Sequence, residues 1–177
     1  MGLMPKLNKA LEHVNEQLAD LPPSDFSLET GLKPYPSIKR KMEHDNIRDP
    51  AELSDLARGR IFFSSDYNHK ELLDIIHKLF GSKIKNVDKN ANSEKEHGLE
   101  YKSIIHVNLG IDGINFELQL IPEEFKPYKE FLHNIYDQFR NPKTCDKMSD
   151  KQKEFLRKTH NTIYKKIDEK AQSSRQH

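Results

Sequence analysis

Residues 55–63 read "DLARGRIFF", and this stretch decides how the rest of the chain is interpreted. An aspartate and an arginine stand at the two ends of "DLARGR", and the apolar run that follows is typical of a buried strand. Farther on, residues 113–122 read "GINFELQLIP", a second strand-like run. Because alternate residues of a strand share a face, Glu117 and Gln119 point to one face, and the apolar residues around them point to the other.

The composition describes a very polar chain of ordinary domain size. The chain has 177 residues, 32% of them charged, and a formal net charge of only +1, so an overall electrostatic attraction to nucleic acid is not indicated. The lone Cys145 cannot form an internal disulfide, which suits a reducing compartment. Since no apolar run is long enough to span a membrane, we expect no membrane partner and a cytoplasmic protein, in the producing cell or delivered to a target cell.

Periodicity predicts a mixed α/β (α+β) fold. Helices are expected over 4–20, 36–45, 68–81, 123–139 and 150–170, with Asn68 as the cap and Gly81 as the stop of the third. Strands are expected over 59–64, 82–88, 101–110 and 114–122, the last two joined by an "IDG" hairpin turn. This order predicts a sheet of four to five strands in mixed directions, flanked by helices.

The chain divides into a helix at 1–23, a core at 24–142, and a helix and tail at 143–177. In the last helix, Phe155, Thr159, Ile163 and Ile167 form an apolar stripe. Such a stripe fits packing on the domain or oligomer assembly, and packing is the favoured use.

The residues alone leave two interpretations open for the polar positions. If both strands lie in one sheet, Asp55 and Glu117 converge on a divalent cation, and Mg²⁺ commonly takes one or two protein carboxylates. Alternatively, Asp55 is a helix-end or turn residue, Glu117 is a solvated outer-face residue, and the basic stretch 33–41 is a charged loop and helix face.

The motif order resembles that of a known family. "KPYPSIKRKM", "DLARGR", "YKS" and "FELQL" occur in this order, at fitting distances, between about residues 30 and 140. Together they resemble the synthetase domain of the RelA/SpoT family of alarmone synthetases and their small toxin relatives. The family pattern there is roughly G-R-x-K with S-I-x-x-K, then D-x-x-x-x-R, a glycine–tyrosine pair with basic–Ser, and E-x-Q.

The resemblance implies a nucleotidyltransferase-like fold that transfers pyrophosphate from ATP to a ribose hydroxyl, with Mg²⁺ as cofactor and ATP as co-substrate. Asp55 would be a Mg²⁺ ligand, and Glu117 would assist the metal site or activate the acceptor hydroxyl. The roles implied for the other motif residues are ATP phosphate binding for Lys33, Lys41 and Arg60, stacking on the acceptor base for Tyr101, and polar support for Lys102 and Gln119. The implied acceptor is GTP, GDP or an adenine nucleotide, with tRNA or an RNA end as a further candidate, and an oligomer is compatible with the pattern.

Several positions depart from the family pattern. Gly31 stands where an arginine is expected, and Glu100 stands where a glycine is expected. The place of the family's histidine holds Ile105, and His106 follows one residue later. One step along a strand reverses the face, so His106 is expected on the face opposite to that of Ile105. Ile121 and Pro122 stand near the place of the usual Arg-Thr pair.

Three functions therefore compete. The first is a pyrophosphokinase that makes a (p)ppGpp- or ppApp-like nucleotide or modifies an RNA end. The second is a catalytically degenerate module of the same fold that binds a nucleotide or a protein partner. The third is a small RNA-binding protein that uses the basic 33–41 segment and the lysine-rich last helix, which the near-neutral net charge disfavours.

Overall fold

The computed structural model of the protein describes residues 2–64, 66–89, 97–100 and 104–174. Its longer helices are α1 (Leu3–Leu18), α2 (Tyr35–Asp45), α3 (His69–Phe80), α4 (Lys129–Arg140) and α6 (Asp150–Ser174), with a single turn of helix, α5, at Pro142–Cys145. Its strands are β1 (Phe26–Leu32), β2 (Ala57–Phe63), β3 (Ile84–Asp88), β4 (Ile105–Ile111) and β5 (Ile114–Pro122). Short 3₁₀ turns cover Pro50–Glu52, Gly81–Lys83 and Glu123–Tyr128.

The five strands form one mixed sheet in the order β1-β2-β5-β4-β3. The central pair, β2 and β5, is parallel, and the other three pairs are antiparallel. The expectation of a mixed sheet of four to five strands flanked by helices is confirmed.

Strand β1 has no counterpart among the strands predicted from the sequence. Its sequence, "FSLETGL", is partly exposed along most of its length and has no clear alternation of buried and exposed residues, because it lies at the edge of the sheet. It forms by pairing with β2, Phe26 opposite Phe63 and Leu32 opposite Ala57. Periodicity therefore carries little information about an edge strand whose stability comes from its neighbour.

The main hydrophobic core lies on one face of the sheet. Helices α1 and α3 cover this face with Leu7, Val14, Leu72 and Ile76, all at most 2% exposed. Helix α3 begins at a capping box, in which Asn68 accepts from the backbone of Glu71 and Glu71 accepts from the backbone of Asn68. The predicted cap and the Gly81 stop are thus confirmed.

A second, smaller core covers only part of the opposite face. It joins Phe62 and Ile121 of the sheet to Phe125, to Leu132 of α4, and to α6. The predicted stripe of α6 is wrong at one end. Phe155 is 68% exposed, whereas the face that packs inward is formed by Leu156, His160, Tyr164 and Ile167.

The β4–β5 hairpin turns at Asp112 and Gly113, as the Asp-Gly signal predicts. Both residues have positive φ, +50° and +80°, the geometry of the tight turns that suit the twist of a hairpin. No helix in the described part of the chain is long and apolar enough to cross a membrane.

Candidate active site

A polar cleft lies on the sheet face that the second core leaves uncovered. Its volume is about 760 Å³, and helix α4 forms one of its walls. Its floor is built by alternate residues of β2, β5 and β4, which bring Arg58 opposite Glu117, and Arg60 and His106 opposite Gln119. The neighbouring residues of these strands point into the main core, so the period of two separates a polar floor from a hydrophobic underside.

Asp55 lies at one end of this cleft, in the turn that leads into β2. Its carboxylate accepts hydrogen bonds from Lys33, just after β1, and from Lys41 of α2, whose Nζ lies 2.8 Å from Oδ1. Burial disfavours the charged carboxylate, but the two lysines outweigh it and hold the pKa of Asp55 below its usual value. Asp55 is therefore ionised at neutral pH.

Lys33 is almost completely buried, with a side chain only 5% exposed. Its burial, together with the charges of Lys41 and Arg58, outweighs the attraction of Asp55 and lowers the pKa of Lys33. A buried ammonium next to other cations is stable only with an anion beside it, and here that anion is Asp55.

Glu117 faces the same cleft from β5. Its Oε1 accepts a hydrogen bond of 2.8 Å from the Gln119 amide, and its Oε2 lies 3.4 Å from Nδ1 of His106. Burial opposes ionisation of Glu117, and the charge of Asp55 does so as well. The contacts with His106 and Gln119 nevertheless keep the pKa of Glu117 below its usual value. The two carboxylates therefore line one cleft, and the charge of Asp55 acts on Glu117.

Arg60 and Gln119 are held together in the middle of the floor. Nε of Arg60 donates to Oε1 of Gln119 over 3.3 Å, and its guanidinium lies 3.7 Å from Glu29 on β1. Glu29 in turn accepts from Lys129 of α4 at 2.8 Å, a contact that lowers the pKa of Glu29. These contacts form a chain of side chains from α4 across three strands.

His106 is a cleft residue to which the motif pattern gives no role, and its expected position on the face opposite to Ile105 is confirmed. Ile105 and His106 do lie on opposite faces of β4, but Ile105 is fully buried in the main core, and it is His106 that faces the cleft. The one-residue offset therefore brings a histidine next to Glu117. The number of residues between the motif tyrosine and the histidine could not reveal this. Which side chains of β4 face the cleft depends on how β4 pairs with β5.

Helix α4 contributes a second group of cleft residues that the sequence analysis did not select. His133, Tyr136 and Arg140 line the cleft, with the Arg140 guanidinium 5.8 Å above the Tyr136 ring. Their spacing of three and four residues puts them on one helix face, which is the signal that could have found them. Burial first, and then the nearby charges of Arg60, Arg58 and Arg140, lower the pKa of His133 against the pull of Asp137.

Tyr101 and Lys102, to which the resemblance assigns acceptor binding, lie outside the described residues. The remaining residues that the motifs single out, Lys33, Asp55, Arg60, Glu117 and Gln119, all line the cleft, and Lys41 reaches its edge through Asp55.

The side chains of the cleft fit a magnesium ion that would be coordinated by one or two protein carboxylates. Within the described ranges, His, Cys, Asp and Glu side chains do not gather in threes around a point where a metal could sit. Asp55 and Glu117 are two carboxylates, both held ionised, in one polar cleft. One or two carboxylates completed by water and substrate phosphates are the ligand set that Mg²⁺ commonly takes.

Comparison with known proteins assigns the family. A family model described as "Region found in RelA / SpoT proteins" matches residues 31–136. The chain belongs to the RelA/SpoT family. The matched region of this RelA/SpoT protein contains all the cleft residues of β2, β4 and β5, and ends within α4. A comparison of the sequence with curated proteins gives no significant match.

Solved structures similar to this RelA/SpoT protein share its fold at low sequence identity. One is small alarmone synthetase 1 from Bacillus subtilis bound to its product pppGpp, with a TM-score of 0.65, 15% identity, and coverage of 94% of this chain and 92% of that chain. A GTP pyrophosphokinase family protein from Streptococcus pneumoniae matches with a TM-score of 0.63 and 18% identity over 97% and 93% of the two chains. The Type VI effector Tas1, in complex with its immunity protein, matches with a TM-score of 0.60 and 17% identity over 93% and 94%.

Proposed function

We propose that this RelA/SpoT protein is a Mg²⁺-dependent pyrophosphokinase that transfers pyrophosphate from ATP to the ribose hydroxyl of a nucleotide. The observation that carries the proposal is the convergence of Asp55 and Glu117, from separate parts of the chain, on one cleft that also holds Lys33, Arg58 and Arg60. Phosphoryl-type transfer depends mainly on positioning and on neutralising phosphate charge, and this cleft supplies both.

The transfer balances without an oxidant or reductant. The acceptor hydroxyl oxygen forms a bond to the β-phosphorus of ATP, the bond from that phosphorus to the α–β bridging oxygen breaks, and AMP leaves. Magnesium bound by Asp55 and Glu117 would neutralise charge on the phosphate oxygens. Lys33, Lys41 and Arg60 bind the phosphates, and the lysines move from Asp55 to phosphate oxygens when ATP enters.

Glu117 suits metal binding and orientation of the acceptor better than strong general-base catalysis. A general base works best with a pKa near the operating pH, whereas the contacts of Glu117 lower its pKa. His106 beside it can orient the carboxylate, and the proton of the acceptor hydroxyl is released to solvent. Tyr101 and Lys102 are proposed to bind the acceptor base, with Gln119 as a polar contact, and α4 closes that side of the cleft.

The acceptor is proposed to be a guanine or adenine nucleotide. The matched synthetase was solved with its product pppGpp, and the matched Type VI effector was solved in complex with its immunity protein. These two relatives support a nucleotide acceptor and an effector-type role as alternatives. We further propose that the protein acts in the cytoplasm, either of its own cell or of a recipient.

The test is a transfer assay with γ-labelled ATP, Mg²⁺ and separate GTP, GDP, ATP, ADP and tRNA acceptors. We expect the label on at least one acceptor, with rates at least about 100-fold lower in Asp55→Asn and Glu117→Gln, because each loses a charged ligand proposed for the metal that neutralises the transferred phosphates. Asp74→Asn is the matched control, since this exposed carboxylate lies on α3, on the opposite side of the sheet. Wild-type protein that transfers no label to any acceptor would rule out the proposed reaction.

One observation favours a degenerate binding module as the second candidate. Both oxygens of Asp55 are already engaged by lysines, an arrangement that stabilises the fold without a metal. In that case ATP would bind without Mg²⁺ dependence, and no label would be transferred. Calorimetric titration with ATP, with and without Mg²⁺, separates the two candidates.

A further inference from the structure

Arg58 is a cleft arginine to which the family motifs assign no role. Arg58 is half-buried on β2, where its side chain lines the cleft together with Arg60. Arg60 contacts Gln119 and Glu29, and Lys33 and Lys41 contact Asp55. The side chain of Arg58, by contrast, forms no hydrogen bond or ion pair with any residue that the structure describes.

The surroundings of Arg58 are rich in positive charge. After burial, the charge of Arg58 is the strongest influence that lowers the pKa of Arg60, and it also lowers that of Lys33 and His133, for which burial is again the larger cause. Cations held this close repel one another, so a polyanion that enters among them relieves repulsion and forms charge-assisted hydrogen bonds.

The strand next to Arg58 leaves space for its side chain. Its direct partner across the β1–β2 pair is Gly31. A Cβ built on Gly31 would meet no heavy atom within 4 Å beyond its chain neighbours, so there is open space beside this glycine. At the position where the family pattern has an arginine, this chain therefore has no side chain. The guanidinium of Arg58 lies next to that position, on the neighbouring strand β2.

We propose that Arg58 binds the polyphosphate of ATP and takes the place of the side chain that Gly31 lacks. This inference rests on the proposed function, because it names a further residue that binds the donor substrate of the same site. The planar guanidinium presents several N–H donors in a fork that matches phosphate oxygens, which a lysine at this position would not reproduce.

The test compares Mg²⁺–ATP and AMP binding by calorimetry in wild type, Arg58→Ala, Arg58→Lys and the double variant Gly31→Arg/Arg58→Ala. We expect Arg58→Ala to weaken ATP binding by about 10- to 100-fold, the loss typical of charge-assisted hydrogen bonds, and to leave AMP binding nearly unchanged. Arg58→Lys should weaken ATP binding less, and Gly31→Arg should restore a large part of the loss. Arg48→Ala, an exposed arginine outside the cleft, is the matched control.

Two results would overturn the inference: wild-type ATP affinity in Arg58→Ala, or no recovery in the double variant. Transfer measured in parallel separates this inference from the proposed reaction. If ATP binding depends on Arg58 but the wild type transfers nothing, the inference stands and the reaction fails. If the wild type transfers pyrophosphate and Arg58→Ala does so with unchanged ATP affinity, the reaction stands and the inference fails.

Discussion

At the scale of single residues, the cleft contains buried side chains of opposite charge that stabilise one another. Lys33 is nearly fully buried, and Asp55, with a side chain only 13% exposed, is the anion that makes this burial tolerable. The same two groups are those proposed to bind phosphate and metal. A substitution at Asp55 therefore changes the stability of the protein as well as its chemistry, and the two effects have to be measured separately.

The stability contributed by Asp55 should depend on pH. Its pKa is lower in the folded protein than in the unfolded chain, so its contribution is fully present above the ordinary aspartate pKa of about 4 and is lost as the pH falls through the lower, folded value. Asp55→Asn should cost about 3 kcal/mol at pH 7, because Lys33 is left buried without its anion. Urea unfolding between pH 7 and pH 2 should show a shallower acid loss in Asp55→Asn than in the wild type.

Asp74→Asn serves as the control for this measurement, since Asp74 is 65% exposed and paired only with Lys70 on the same helix. Its unfolding free energy should follow that of the wild type at every pH. A wild-type and an Asp55→Asn curve that run parallel down to pH 2 would contradict the assignment of the acid loss to this carboxylate.

At the scale of elements, the chain combines strong local signals with elements that depend on neighbours. Helix α3 has its own cap, stop and apolar stripe, and the β4–β5 hairpin has its Asp-Gly turn. Strand β1 has no such local signal, yet it contains Glu29 and is followed directly by Lys33. The strand that local sequence patterns predict least well, β1, is thus one of the elements that position the cleft residues.

The capping box of α3 is expected to stabilise the protein without affecting the cleft. Asn68→Ala removes the side-chain acceptor for the backbone N–H groups of Lys70 and Glu71, and should lower the free energy of unfolding by about 1 kcal/mol. ATP binding should not change, because α3 lies on the other side of the sheet. Lys78→Ala, on the exposed face of the same helix, should change stability by less than about 0.5 kcal/mol, as chemical denaturation can verify. Equal effects of the two substitutions would argue against the cap.

At the scale of the whole molecule, the sheet separates two cores of unequal size. The larger lies on one face, while the smaller, with α4 and α6, covers only part of the other. The uncovered part is the cleft, so the incomplete second layer is what creates the site. Helix α6 lies beyond the matched family region but packs into this second core through Tyr164 and Ile167.

Substitution of two aromatic residues of α6, one buried and one exposed, tests whether this helix packs on the domain. Tyr164 is 4% exposed and packs against Phe125 with ring centroids 4.6 Å apart, whereas Phe155 is 68% exposed. Tyr164→Ala should lower the free energy of unfolding by about 3 kcal/mol, and Phe155→Ala by less than about 0.5 kcal/mol. The reverse order, or a change of oligomeric state with Phe155→Ala alone, would instead favour assembly through the exposed face.

The sequence alone determined the elements with strong local patterns and the identity of most candidate site residues. Helical periodicity, the cap at Asn68 and the Asp-Gly turn act within a few residues, so they can be read without knowledge of the rest of the chain. The motif order likewise led to Asp55 and Glu117, because the pattern of the RelA/SpoT family is kept at these positions in residue type and spacing.

Only the tertiary structure decided which side chains meet. The pairing of β4 with β5 turns His106 into the cleft, and the pairing of β1 with β2 puts Gly31 beside Arg58. Which face of a strand lies in the core, and what stands opposite each residue, depend on contacts between segments far apart in the chain. No local pattern carries that information, and in this protein those contacts place the charges on which the proposed chemistry depends.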